Sequence, residues 1–155
     1  MQMIRQVIVF DAAEVEKESA FWAAIFGGHV VDDDPDFHCV LDSSGLWRIG
    51  VQRAPGHVQP TWPDGAQQQQ VHLDLHTDDP LEAHNEVIRL GASLLQPAPD
   101  LDADEGHQVY ADPAGHPFCI GWGHPSASAL DAFATKRFGS KALRADHKSV
   151  TDFTE

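Results

Sequence analysis

The chain has little cysteine and no long apolar run. Its 155 residues include two cysteines, Cys39 and Cys119, and neither belongs to a Cys-x-x-Cys pair of the kind that binds zinc. Such a low cysteine content favours a reducing setting over a disulfide framework. No stretch approaches the roughly 20 apolar residues of a membrane-spanning helix, and the first residues lack a signal-peptide pattern. We therefore expect a cytoplasmic protein with no membrane partner.

Basic residues are also scarce. Lys and Arg together number 10, against 24 Asp and Glu, which gives a formal net charge of −14 with His neutral. A chain with this balance repels phosphate backbones and anionic lipid surfaces. The sequence has no phosphate-binding loop and no dinucleotide-binding glycine motif. Nucleic acid is therefore not an expected partner, and nucleotide-dependent chemistry is not indicated.

Two stretches of the chain share one order of predicted elements. About residues 3–53 and about residues 70–123 each read as strand, helix and three strands, with a polar linker at 54–69. Each stretch joins its last two strands by an Asp-x-x-Gly turn, at Asp42–Gly45 and Asp112–Gly115. A duplicated unit explains this, and each unit must pair with its twin to bury its sheet. The cleft between two paired half-sheets is the expected ligand site.

The helices are predicted from the spacing of their apolar residues. In the first unit the helix covers Glu14–Phe26, with Phe21 and Trp22 on its apolar face and Glu18 off that face. The extension at 124–155 differs in composition from both units. It is predicted to be helical or partly disordered.

Three motifs carry a resemblance to a known family: Phe21–Gly27, His72–His76 and Asp112–Cys119. With them the chain resembles the vicinal oxygen chelate superfamily, which includes glyoxalase I, bleomycin-resistance proteins and extradiol dioxygenases. Its glyoxalase-like domain proteins are the most similar group, and the likeness covers roughly residues 4–122 within a domain at 1–123. The resemblance implies an α+β fold of two βαβββ modules that form an open barrel of mixed sheet with a cleft. It also implies a homodimer.

The resemblance further implies one divalent metal, held by side chains on the first and fourth strands of each module. Carried onto this sequence, with the repeat used to align the modules, those positions are Gln6, Gln52, His72 and Cys119. The set contains one His and no carboxylate, whereas hard cations prefer carboxylate oxygens and non-haem iron prefers two His and a carboxylate. Two alternatives stay open: one divalent metal (Zn, Mn, Ni or Fe), with His72, Gln6 and Gln52 as ligands, or no metal.

A second arrangement comes from the alternation in His72–His76. His72, Asp74 and His76 project from one face of a single strand. Asp74 could orient a neighbouring His, and the two His could share a metal or act as acid and base. The alternative is a polar strand face held by hydrogen bonds and partnered by Arg48 or Arg53.

Three functions follow as hypotheses, of which the third is a purely structural or interaction module. The first is a glyoxalase/bleomycin-resistance-like protein that binds a small organic molecule in the cleft, with Gln52, Arg48, Trp62 and Cys119 as candidate ligand contacts. Trp62 stands in the linker, where an aromatic side chain can cover a ligand. The second is a metal-dependent lyase, isomerase or dioxygenase of the same superfamily that uses His72. The sequence leaves enzymatic activity open.

Overall fold

The computed structural model describes residues 5–123. Within that range the elements are β1 (Ile8–Ala12), α1 (Val15–Ile25), β2 (His29–Asp34), β3 (Phe37–Leu41), β4 (Trp47–Arg53), β5 (Asp74–His76), α2 (Pro80–Leu90), β6 (Ser93–Gln96), β7 (Gly106–Ala111) and β8 (Pro117–Trp122). The extension predicted at 124–155 lies outside the described residues.

The strands form two four-stranded sheets with the same order. Sheet 1 runs β1-β4-β3-β2 and sheet 2 runs β5-β8-β7-β6. In each sheet the first strand is parallel to the fourth, and the other neighbours are antiparallel. The α+β fold of two βαβββ modules is thereby confirmed, and neither sheet closes into a barrel.

The second helix begins and ends where its sequence predicts. The Asp79 side chain accepts a hydrogen bond from the Glu82 backbone N–H, and Pro80 occupies the first turn, where its missing N–H costs no helical bond. Gly91 ends the helix with φ at 110°, a left-handed conformation that glycine adopts without strain. The helix therefore has fixed limits, and the strand that follows it starts at a defined point.

Helix α1 packs against both sheets and connects the two modules. Trp22 is fully buried, and its ring lies 5.5 Å from that of Phe10 in β1 and 5.3 Å from that of Phe118 in β8. Phe21 reaches Phe118 as well, with ring centroids 5.9 Å apart. Burying aromatic rings of this size supplies much of a core's stabilisation. The cluster therefore holds the two modules as one body.

Glu18 was expected to lie off the apolar face of α1. In the structure it is buried instead, with 1% of its surface exposed. One carboxylate oxygen accepts from Trp22 Nε1 at 2.7 Å and the other from the Ala114 backbone N–H at 2.9 Å. Burial, together with the adjacent Asp112 carboxylate, raises the pKa of Glu18 to about 9. Glu18 is thus protonated at neutral pH, and it links α1 to the turn between β7 and β8.

Candidate functional site

Three side chains that can bind metal meet at the first and fourth strands of module 2. Asp74 of β5 pairs with Cys119 of β8, so their side chains share one face of sheet 2. His72 lies just ahead of β5, and its Nε2 is 3.2 Å from an Asp74 carboxylate oxygen. One donor atom from each of the three lies within 4.8 Å of the other two. His72 and Asp74 are exposed, so the cluster opens to solvent.

His72 is held from its other side by the linker. Gln69 Nε2 lies 2.6 Å from His72 Nδ1, and the Gln69 Oε1 atom is buried with no hydrogen-bond partner among the described residues. Sequence reasoning missed Gln69, although it stands three residues before His72 as the third in a run of four glutamines. An amide N–H can only donate, so Nδ1 of His72 is the acceptor and Nε2 carries the ring proton towards Asp74. A metal ion that binds Nε2 would replace that proton.

Cys119 is a thiol rather than a thiolate in this structure. Burial raises its pKa to about 11, and the nearby Asp74 carboxylate contributes in the same direction. A thiol of this kind is a poor nucleophile at neutral pH. A bound metal ion would favour its deprotonated form, because metals ligate the thiolate.

A cavity of about 330 Å³ lies where β1 meets the linker. Its walls come from β1, from the linker, from the residue that follows the linker and from the residue before β8. The lining residues are Ile8, Val9, Phe10, Asp11, His57, Pro60, Gln68, Gln69, Gln70, Val71 and His116. A cavity of this volume is large enough for a small organic molecule.

Two histidines form one wall of this cavity. Their ring centroids are 4.8 Å apart, and the His116 ring also stacks on Phe10 at 4.9 Å. His57 Nε2 lies 3.0 Å from the Ala114 carbonyl oxygen, and His116 Nε2 lies 2.8 Å from the Asp11 carbonyl oxygen. Both rings are held in place by backbone groups. The spacing of His57 and His116 along the chain gives no signal of this pairing.

The other predicted ligand contacts lie in β4 of module 1 and in the linker. Gln52 of β4 is exposed and pairs with Asp11 of β1, which places it next to the cavity wall. Arg48 donates to the Asp42 carboxylate at 2.7 Å. Trp62 is half-buried in the linker and is not among the residues that line this cavity.

The arginines do not partner the polar face of β5 in the way the alternative interpretation required. Arg48 pairs with Asp42, while Arg53 pairs with Glu16 and Asp36. His76 lies beyond Asp74 on β5, where it lines a different, largely apolar cavity between the two helices.

Gln6 is one residue out of register with His72. The strand ladders of the two modules place Phe10 and Leu75 at equivalent positions, because the extra residue Arg48 bulges out of β4. The residue after Gln6 is therefore the counterpart of His72. Gln6 itself is exposed and lies ahead of β1. The bulge could not be inferred from the repeat alone.

A comparison with family models identifies the domain. The model of the glyoxalase-like domain matches residues 7–121. The chain belongs to the glyoxalase-like domain family. With this family it belongs to the vicinal oxygen chelate superfamily, as its motifs indicated. No curated protein matches the chain significantly.

Solved structures share the architecture of this glyoxalase-like domain at low sequence identity. A fosfomycin resistance protein, FosX, from Listeria monocytogenes aligns with a TM-score of 0.58 at 18% identity, over 81% of this chain and 95% of that one. FosX from Mesorhizobium loti aligns with a TM-score of 0.56 at 14% identity, over 84% of this chain and 99% of that one. A glyoxalase/bleomycin resistance protein/dioxygenase family enzyme from Burkholderia phytofirmans aligns with a TM-score of 0.52 at 17% identity, over 76% of this chain and 97% of that one. These likenesses show the fold.

The donor set of the glyoxalase-like domain fits some metals better than others. The Listeria FosX protein has been crystallised with Mn(II) and sulfate, but Mn²⁺ prefers oxygen ligands. His72, Asp74 and Cys119 offer one nitrogen, one oxygen and one sulfur. Zn²⁺ accepts all three donor types and in catalytic sites keeps a fourth position open. The residues present therefore fit zinc.

No helix of the described residues is long and apolar enough to cross a membrane.

Proposed function

We propose that this glyoxalase-like domain binds a small organic molecule in the cavity between β1 and the linker. The supporting observation is the cavity itself, about 330 Å³ in volume, with apolar and polar side chains on its walls. Pockets of this size and mixed lining are the usual sites of small ligands. Ile8, Val9 and Val71 offer apolar surface to the body of a ligand, while Asp11 and Gln69 offer polar contacts.

The predicted ligand contacts complete this proposal. Gln52, beside Asp11, extends the polar surface of β1, and Cys119 joins Asp74 and His72 at the neighbouring cluster. Ligand contacts by Arg48 and Trp62 remain part of the same hypothesis.

The binding proposal can be tested by filling the cavity. Val9 is 45% exposed and lines the cavity, so Val9→Trp places an indole in the ligand's space without disturbing the core. The probe is phenethyl alcohol, a small neutral aromatic compound, measured by isothermal titration calorimetry. We expect binding to the unmodified protein and to a Leu81→Trp control on the exposed face of α2, and loss of binding in Val9→Trp. Equal binding to all three proteins would contradict the proposed location.

The second candidate function is a metal-dependent lyase, isomerase or dioxygenase that uses His72. The specific observation in its favour is the cluster of His72, Asp74 and Cys119 donor atoms. A divalent metal supplies Lewis acidity, which polarises a carbonyl group or stabilises an enolate. Asp74 and Gln69 fix the ring of His72 from its two sides.

Metal content separates the second candidate from simple binding. We expect about one equivalent of zinc per chain after incubation with Zn²⁺ and desalting, as the donor set implies. His72→Ala is expected to lose that zinc, whereas His29→Ala, which removes an exposed histidine from β2, is expected to retain it. Zinc that is absent from the unmodified protein, or is retained by His72→Ala, would remove this candidate.

The proposal includes a homodimer in the cytoplasm. Cys39 and Cys119 are both free thiols, in agreement with a reducing compartment. Analytical ultracentrifugation across a range of protein concentrations tests the dimer, for which we expect twice the 17.0 kDa chain mass. A single species at the chain mass throughout would contradict it.

A further inference from the structure

The cavity between β1 and the linker offers hydrogen-bond acceptors on several sides. The exposed residue Asp11 contributes a carboxylate, which can only accept when ionised. Gln69 also lines the cavity, but its Oε1 atom is buried, so the accessible acceptor of these two residues is the Asp11 carboxylate.

The two histidines of the cavity add acceptors rather than donors. A carbonyl oxygen can only accept, so the contacts to the Ala114 and Asp11 carbonyl oxygens require that Nε2 of each ring carries the proton. In a neutral imidazole the remaining nitrogen is then an acceptor. His57 and His116 therefore keep Nδ1 as the acceptor atom and have already committed their donors to the backbone.

Positive charge is missing from the same walls. Of the eleven lining residues within the described range 5–123, none is lysine or arginine, and the only acidic one is Asp11. The chain as a whole carries 24 acidic and 10 basic residues. An anion entering the cavity would meet a carboxylate and several acceptors with no cation to pair with, which disfavours its binding.

The remaining walls are apolar and suit the body of an organic molecule. Ile8, Val9, Phe10, Pro60 and Val71 line the cavity between the polar groups. A bare metal ion would gain nothing from these side chains, whereas an alkyl or aryl group gains by leaving water. The cavity thus combines acceptors for a donor-bearing head with apolar surface for a tail.

We infer that the ligand of this cavity is an organic amine, with a protonated nitrogen that faces Asp11 and an apolar body on the valines. The inference rests on the proposed function that the cavity binds a small molecule, and it names the ligand's chemical class. The ammonium group supplies hydrogen-bond donors to the Asp11 carboxylate. Asp11 is the residue that determines specificity for charge.

Three probes of one shape and different charge test the inference. Phenethylamine is cationic, phenethyl alcohol is neutral and phenylacetate is anionic at about pH 8, where an ordinary imidazole is neutral. Dissociation constants are measured by calorimetry in low salt. We expect phenethylamine to bind about threefold to fivefold more tightly than phenethyl alcohol, since an ion pair with an exposed carboxylate such as Asp11 is weak. Phenylacetate is expected to bind most weakly.

The variant Asp11→Asn keeps the shape of the side chain and removes its charge. We expect it to weaken the binding of phenethylamine about threefold to fivefold and to change the affinity for phenethyl alcohol less than twofold. Asp104→Asn is the matched control, because it makes the same change in net charge at an exposed residue that does not line the cavity. It is expected to leave all three dissociation constants unchanged.

The other outcomes would overturn the inference, either alone or together with the proposed binding function. If phenethyl alcohol binds but phenylacetate binds as tightly as phenethylamine, the inference fails and the proposed binding function stands. An equal loss of amine affinity in Asp11→Asn and Asp104→Asn would show general charge attraction and would also overturn the inference. If no probe binds, both the inference and the proposed cavity function fail.

Discussion

Replacing Glu18 by Gln is expected to remove most of the pH dependence of stability between about pH 5 and pH 9. Glu18 is buried between α1 and the turn before β8, next to the Asp112 carboxylate. Burial and that neighbour raise its pKa from 4.5 to about 9 in the folded protein. The folded state therefore holds a proton that the unfolded state releases above about pH 4.5, and stability falls as pH rises through this window.

The magnitude follows from the proton count. A single proton bound only by the folded state changes the free energy of unfolding by about 1.4 kcal/mol per pH unit. The Gln side chain cannot ionise. Its amide N–H can donate to Asp112, as the protonated carboxyl of Glu18 does. However, Gln offers one acceptor oxygen, whereas Glu18 offers two. Trp22 Nε1 and the Ala114 N–H each have a second acceptor on Asp112, so the lost bond costs about 1 kcal/mol.

Urea denaturation at one-unit pH steps measures this directly. We expect the two proteins to be nearly equal in stability at pH 5, because ionisation of Glu18 in the unfolded state already offsets the lost hydrogen bond there. By pH 8 we expect Glu18→Gln to be the more stable protein, because three further pH units at about 1.4 kcal/mol each exceed the cost of one hydrogen bond. Taking the difference between the two proteins at each pH cancels the titration of every other group. Parallel stability curves for the two proteins from pH 5 to pH 9 would refute the assignment of the proton to Glu18.

Three further predictions concern single contacts. Gly28→Ala places a Cβ 1.9 Å from the Leu41 backbone oxygen and is expected to cost at least about 2 kcal/mol, whereas Gly56→Ala meets open space and serves as the control, both measured by urea denaturation. Asp79→Ala removes the cap of α2 and is expected to lower the free energy of unfolding by about 1 kcal/mol; an unchanged value would contradict the cap. Cys119→Ser is expected to weaken zinc binding by at least about tenfold in calorimetry, because a thiolate is the better zinc ligand; equal affinity would exclude sulfur from the site.

The sequence was sufficient for the architecture because local patterns repeat. The two Asp-x-x-Gly turns and the glycine that ends each helix recur in both halves, and each reflects a local backbone requirement. His72 and Asp74 were predicted to share a face by alternation alone, and the structure places them 3.2 Å apart between Nε2 and a carboxylate oxygen. The duplicated modules were predictable for these reasons.

Features that depend on contacts between distant parts of the chain were not predictable. Glu18 was expected off the apolar face, because nothing local shows that Asp112 and Ala114 meet it. The bulge at Arg48 shifts the repeat by one residue, which displaced the predicted counterpart of His72. The cavity joins β1 to the linker, so its lining could not be read from the order of elements.

The most direct test of the central claim is a nuclear magnetic resonance titration of the isotopically labelled protein with phenethylamine. The account predicts that the perturbed backbone amides cluster at Val9–Asp11, at Gln68–Val71 and at His116, the walls of the cavity. Perturbations centred instead on Phe26, Leu75 and Val87, which line the apolar cavity between the helices, would contradict it.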